Sequence, residues 1–305
     1  MSDASVLDPP HSTPEPVAGT AMPPTPEASR QRFRRPRRGH RRWLPVTVLA
    51  LLALFALLIP WLTPAPQADF AINLSPPSAT HWAGTDHFGF DLLQRTAQGL
   101  RISLLIGAVS AVVSTLLGSA VGLLAAVWGG LVDRVLMRAT DAVNAVPHLI
   151  LAVVIVAMFK GSIAALIASI ALTHWSQVAR VVRSTVLSVR TSEYVASSYA
   201  AGASHGWVLS RHLAPAAFGQ AVVAVVLMVP HAIWHESALS FLGLGLQPDQ
   251  PSLGTLMDLA RDDIMTGAWW TLVVPAVVLL ATTLSVAALA PHDSPTQSRT
   301  LEVTG

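Results

Sequence analysis

The chain has 305 residues, of which 52% are hydrophobic and only 12% charged, with a formal net charge of +2. Soluble domains carry about a quarter charged residues, so this composition points to lipid as the main solvent. There is no cysteine, which excludes a disulfide framework, an iron–sulfur cluster and any thiolate metal site.

Residues 1–29 are rich in Pro, Ser and Thr, with few large apolar side chains. Such a segment buries too little surface to offset ordering entropy and is predicted to be disordered. Eight arginines then fall within residues 30–42. A cluster of this kind can bind nucleic acid, but here it directly precedes an apolar run. The positive-inside rule accounts for it better, so no nucleic-acid partner is expected. Residues 1–42 are read as a cytoplasmic tail whose arginines face anionic lipid head groups.

Trp43–Leu62 is long enough to span a bilayer as a helix. A basic region before an apolar one also suits a cleaved signal peptide. The run is longer than the usual signal core, however, and "PWLTPAPQADF" is a poor cleavage site. Residues 63–100 form an extracytoplasmic segment, and a core over 101–290 carries five further spans. These are placed at 102–128, 142–159, 162–175, 220–234 extending towards Leu246, and 268–290. Lys160 and Gly161 alone separate the third and fourth spans, which predicts a tight helical hairpin. Gly107, Gly118 and Gly122 give the second span a small-residue face for close helix contact. Residues 291–305 are a polar tail.

With the arginine cluster inside, alternation places 129–139 and 177–218 in the cytoplasm, and 63–100 and 247–267 outside. The inside loops hold Arg134, Arg138, Arg180, Arg183, Arg190 and Arg211. The outside loops hold Asp69, Asp86, Asp91, Asp249, Asp258, Asp262 and Asp263. This bias supports a multi-pass protein with both termini cytoplasmic.

The 177–218 loop contains "EYVASSYAAGASHGWVLSRHLAP", from Glu193 to Pro215. Tyr194, Val195, Ser198 and Ala201 share one helical face, and Gly202 then breaks the helix. A short helix of small residues can enter another protein's groove where bulky side chains would clash. The alternative is an amphipathic helix lying on the membrane surface.

"HAIWHE" sets His231 and His235 four residues apart, followed by Glu236. The i, i+4 spacing is that of metal ligands on a helix, but zincins need His-Glu-x-x-His, which is a different order. The histidines either pack against neighbouring helices and water or make a transient contact to a metal ion such as nickel, which suits imidazole. Glu236 is expected to point into the bundle, hydrogen-bonding across helices or lying at the outer mouth. His81, His87, His148 and His174 add to the histidine count.

The 193–215 segment resembles the signature loop of ABC importer permeases, a Glu-Ala-Ala triplet followed by Gly and then Pro. Here the triplet positions hold Ala196, Ser197 and Ser198, while Gly202 and Pro215 match. The triplet lacks its acidic residue, and Ala214 stands where the family has Leu. "HWAGTDHFGFDLLQRTAQGLRISLLIG" (81–107), "GGLVDRVLMRATDAVNAVP" (129–147), "ALTHWSQVARVVRSTVLSVR" (171–190) and "ESALSFLGLGLQPDQPSLGTLMDLAR" (236–261) resemble the dipeptide, oligopeptide and nickel permeases in the same order. Gly89-Phe90-Asp91 replaces the family's Gly-Arg-Asp, and "APHDSPTQSRTLEVTG" departs from its usual ending.

The resemblance implies an all-α integral membrane protein with six spans, the type I importer (MetI-like) transmembrane domain. It further implies a cell-membrane permease subunit importing peptides or nickel, partnered by a second permease, ABC ATPase subunits and an extracytoplasmic binding protein. The coupling residues would be Glu193, Tyr194, Ala196, Ser197, Ser198, Gly202, Ala203, Arg211, His212 and Pro215. His231, His235 and Glu236 would contact the path or cargo. No catalytic residue, resident metal or cofactor is expected. ATP would be bound by the partners, since the chain has no Gly-x-x-x-x-Gly-Lys-Ser/Thr stretch and its single lysine, Lys160, lies in an outside turn. The competing readings are a membrane-embedded metal-dependent enzyme at His231, His235 and Glu236, and an ion channel or secondary transporter. The latter would work without an ATPase, and no internal repeat supports it.

Overall fold

The computed structural model describes residues 43–63, 67–247 and 249–289. The two tails expected at 1–42 and 291–305 lie outside these residues. Within them the chain is all-α, with no strand beyond the single bridge Thr85–Asp91. Five of the described helices are long and apolar enough to cross a membrane, or six if one bent pair counts as a single span.

Helix α1 (Trp43–Leu62) packs beside α10 (Trp270–Leu289) and α2 (Leu92–Trp128). Ala56, Leu100 and Leu253 make the shared core there. The hydropathy pattern starts the second span at 102, but α2 begins ten residues earlier. Asp91 caps it, accepting from Gln94 N at 3.1 Å. The extra turns are held from the loop before them, because Arg95 reaches Asp86 at 3.6 Å and lies 4.7 Å over the Phe90 ring. Buried polar side chains hide these turns from a hydropathy argument.

The expected third span is two helices. α3 (Gly130–Ala145) and α4 (His148–Met158) meet at 82° across Val146 and Pro147. Proline lacks an N–H and disfavours helix in the residue before it, which accounts for the break. α3 is amphipathic and fastened to α5 (Ile163–Arg190) by Arg183–Asp133 and Arg180–Asp141 ion pairs. The turn at Lys160–Gly161 joins α4 to α5, in keeping with the short spacing. Gly161 sits at φ +82° beside Gln247.

α5 is the main departure from the expected loop at 177–218. It continues past Trp175 to Arg190, a length of about 42 Å at 1.5 Å per residue. Val178, Val182 and Val186 continue its buried face, and Arg190 Nη1 donates to the Ala126 carbonyl at 2.7 Å. Helix α6 (Glu193–Ala200) follows, then α7 (His205–Val208), a π-helical turn at Leu209–Leu213 and α8 (Ala214–Phe241). The segment expected as a loop is therefore almost wholly helical. The 247–267 region also contains a helix that the sequence pattern does not announce, α9 (Leu253–Met265), with a Ser252–Thr255 capping box.

The glycine face of α2 works as expected. A Cβ at Gly118 would stand 2.6 Å from Val178 Cβ, and one at Gly122 would stand 3.0 Å from Arg183 N. At Gly107 it would meet Ile233 of α8 at 2.5 Å. The helices approach until only hydrogen fits between them.

Candidate coupling helix and intramembrane histidine cluster

α6 is seated by one side chain. Val195 is fully buried with Val182, Val186, Val208 and Leu213. Glu193, Ala196, Ser197, Ala200 and Ala201 remain exposed, as do the rings of Tyr194 and Tyr199, so the outward surface mixes small residues with two tyrosines. Ser197 and Ser198 donate their hydroxyls back to the carbonyls of Glu193 and Tyr194, both at 2.9 Å. Those two hydroxyls are thus turned back onto the helix's own carbonyls. The Ser198 hydroxyl also lies 3.2 Å from His212 Nε2, and the Tyr194 and Trp207 rings stand edge-on to His212. His212 thus ties α6 to the π turn.

Gly202 ends the unit at φ +91°, a conformation that strains any side chain, although the space a Cβ would fill is open, with nothing within 4 Å. Ala203 is half-buried against the valine cluster. Arg211 is exposed in the π turn and Pro215 at the start of α8. The segment that holds the coupling residues inferred from sequence thus lies between the C-terminal end of α5 and the N-terminal end of α8.

The second group lies within the bundle. His174 of α5 stacks on His148 of α4 at 5.7 Å between ring centroids and meets His235 of α8 edge-on at 4.6 Å. His231 completes the group at 6.5 Å from His174. The sequence pairs His231 with His235 but leaves His148 and His174 ungrouped. The i, i+4 spacing shows the first pair, whereas only tertiary packing brings in the others. Among the described residues, no three or more His, Cys, Asp or Glu side chains are placed to hold a metal ion.

Glu236 turns away from the histidines. It is fully buried and accepts from Ser103 Oγ at 2.7 Å, Ser240 Oγ at 2.9 Å and Ser237 Oγ at 3.3 Å. It hydrogen-bonds across helices, one of the two expected placements. With its oxygens taken by hydroxyls and no exposed surface, it lacks the freedom of a catalytic base beside His235. The enzyme alternative is not supported.

Opposite α6, the 81–91 loop packs on α9. His87 Nδ1 meets Asp263 at 3.2 Å, and Trp270 Nε1 donates to the Thr85 carbonyl at 3.2 Å. Burial pushes the Asp263 carboxyl above its usual range. It does the same at Asp86, although that group accepts from Phe90 N and Phe88 N.

The described residues thus form a broken apolar bundle with a short helix mounted between two long ones, α5 and α8. Residues 118–294 match the family described as binding-protein-dependent transport system inner membrane component. The dipeptide transport system permease of Bacillus subtilis is 35% identical over 77% of this chain and 74% of its own length. The nickel transport system permease of Escherichia coli K12 is 38% identical over 74% of this chain and 83% of its own. The oligopeptide transport system permease of Escherichia coli K12 is 36% identical over 77% and 79%. The chain belongs to the binding-protein-dependent transport system inner membrane component family, and it is a multi-pass membrane protein. A solved structure titled "Crystal structure of an amino acid ABC transporter with histidines" shares the fold. Its TM-score is 0.51 at 14% identity, covering 64% of this chain and 91% of that one.

Proposed function

We propose that the chain is one of two permease subunits of an ATP-driven importer whose cargo is a peptide or a nickel complex. α6 docks into a groove on an ATPase subunit in the cytoplasm, and an extracytoplasmic binding protein delivers cargo at the end carrying the 81–91 loop and α9. Both termini are cytoplasmic. The observation that supports this reading best is the mounting of α6. Val195 plugs it into the valine core of α5, so a push on its outer face moves a helix about 42 Å long as a lever.

Arg134 and Arg138 of α3, Arg180, Arg183 and Arg190 of α5 and Arg211 of the π turn outnumber Asp133 and Asp141 toward the α6 end, whereas Asp86, Asp91, Asp258, Asp262 and Asp263 belong to the 81–91 loop and α9, a bias that supports an inside and an outside. The relatives named above carry dipeptide, oligopeptide and nickel in their names, which supports those cargo classes. His231 and His235 would line or border the path, whereas Glu236 acts as a joint between helices.

The test is a Gly202→Trp variant in the assembled transporter. Uptake of labelled di- or tripeptide and of nickel should be lost, while ATP hydrolysis and membrane insertion persist. Unchanged uptake would remove the docking role of this segment.

A further inference from the structure

Helix α3 uses one side to hold the bundle. Arg183 Nη2 donates to Asp133 at 2.6 Å, Arg180 Nη2 to Asp141 at 2.8 Å, and the Ser176 hydroxyl to Asn144 Oδ1 at 2.8 Å. Thr140, on the same side, is fully buried. Away from α5, helical spacing gathers Leu131, Val132, Val135, Ala139 and Ala142 into an apolar strip, and all five are exposed. Leu131 is 70% and Val135 57% exposed. Arg134 and Arg138, one turn apart, border this strip. Both are exposed, and neither has an ion-pair partner among the described residues. Asp141, the acid nearest to them on the helix, is neutralised by Arg180.

The level of α3 fits a membrane surface. Trp128 ends α2 just before it and is 65% exposed, and indoles favour the boundary between acyl chains and head groups. α5 starts at Ile163, and about 20 helical residues cross the hydrocarbon. That count brings the far boundary close to Arg180 and Arg183, the residues that hold α3. The 82° break at Val146 and Pro147 turns α3 across the direction of α4. An apolar strip lying across the bundle with arginines on its rim is the pattern of an interfacial helix. The strip enters the acyl region, and the arginine stems run over it until the guanidinium groups reach phosphate. Water would leave the strip uncovered. A protein groove that covered it would also have to desolvate two unpaired guanidinium groups. An anionic bilayer accepts both.

We propose that α3 is an interfacial helix that binds anionic phospholipid, with Leu131, Val135 and Ala142 in the acyl region and Arg134 and Arg138 on head-group phosphates. On the importer reading, on which the side of the membrane rests, this lipid belongs to the cytoplasmic leaflet. Because α3 is tied to α5, the contact holds the lever that carries α6 against the membrane surface.

The chain has no cysteine, so Ala142→Cys gives one thiol for a bimane label on the strip. The labelled full chain is placed in nanodiscs of phosphatidylcholine and phosphatidylglycerol in equal parts, with one lipid or the other brominated in its acyl chains. Brominated phosphatidylglycerol should quench severalfold more than brominated phosphatidylcholine. Adding Arg134→Gln and Arg138→Gln should make the two lipids equal while quenching remains. The preference should persist in the transporter assembled with its second permease and ATPase. Quenching by neither lipid would place the strip in water or under protein. Equal quenching in the chain with both arginines would show no choice of anionic lipid, and a preference retained without them would assign it elsewhere. Loss of quenching on assembly would give the strip to a partner chain. Each of these results would overturn the proposal. None involves ATP or cargo, so they are read separately from a failure of uptake.

Discussion

Ser103 of α2 donates to Glu236 of α8 at 2.7 Å and at the same time accepts from the backbone N–H of Leu253, at the start of α9, at 3.1 Å. One hydroxyl thus joins three helices around a fully buried carboxylate. Gly99 and Gly254 make the junction tighter still. Added Cβ atoms would stand 3.0 Å from the Ser252 backbone and 2.6 Å from Ser240 Cβ, respectively. α9 cannot shift without moving α2 and α8, so the helix that would meet a binding protein is locked to the spans.

Replacing Glu236 by Ala should cost more than replacing it by Gln. The amide can still accept from one or two serines, whereas Ala leaves three hydroxyls with no acceptor. An intramolecular hydrogen bond contributes about 0.5–1.5 kcal/mol net. The expected order of thermal stability in detergent is wild type, then Gln, then Ala. Equal melting of the two variants would show that the serine bonds do not matter.

Gly118 should not tolerate a large side chain. Leu there must push α2 from α5 along the tightest contact in the bundle, and overpacking costs about 1–3 kcal/mol or more. Gly118→Leu should reduce the amount of folded protein recovered from membranes. Gly219→Leu should leave it unchanged, since nothing lies within 4 Å of a Cβ at Gly219. Similar recovery of both variants would contradict the close-contact account.

The 81–91 loop carries a pH signature. Burial raises the Asp86 and Asp263 carboxyls, so the folded chain holds their protons more tightly than the unfolded chain does. Their contribution therefore favours folding at low pH and declines as pH rises through the raised values. Changing both to Asn should flatten the dependence of melting temperature on pH across the acidic range. An unaltered slope would show that these groups are not the source.

Much of this is legible in the sequence. The apolar runs mark the spans, and Gly118 and Gly122 mark the α2–α5 contact. Gly202 shows where α6 stops, since a break at φ +91° suits only glycine. What escapes is decided by tertiary partners. α5 remains helical beyond Trp175 because Asp133, Asp141 and the Ala126 carbonyl satisfy arginines that, read alone, signal water. Arg95 sits in α2 for the same reason, against Asp86 and Phe90. The histidine group joins residues from three helices, which no spacing rule reports. α9 is hidden because its apolar face is short and its solvent face carries Asp258, Arg261 and Asp262.

The sidedness of α6 is the most direct measurement. The chain has no native cysteine, so Ala196→Cys introduces a single thiol on the exposed face of α6. In sealed right-side-out vesicles, a membrane-impermeant maleimide should leave this thiol unlabelled until the vesicles are opened. In the complex with its ATPase, labelling should be blocked even then. Labelling from outside sealed vesicles would contradict the account, because a helix on that face cannot receive force from a cytoplasmic ATPase.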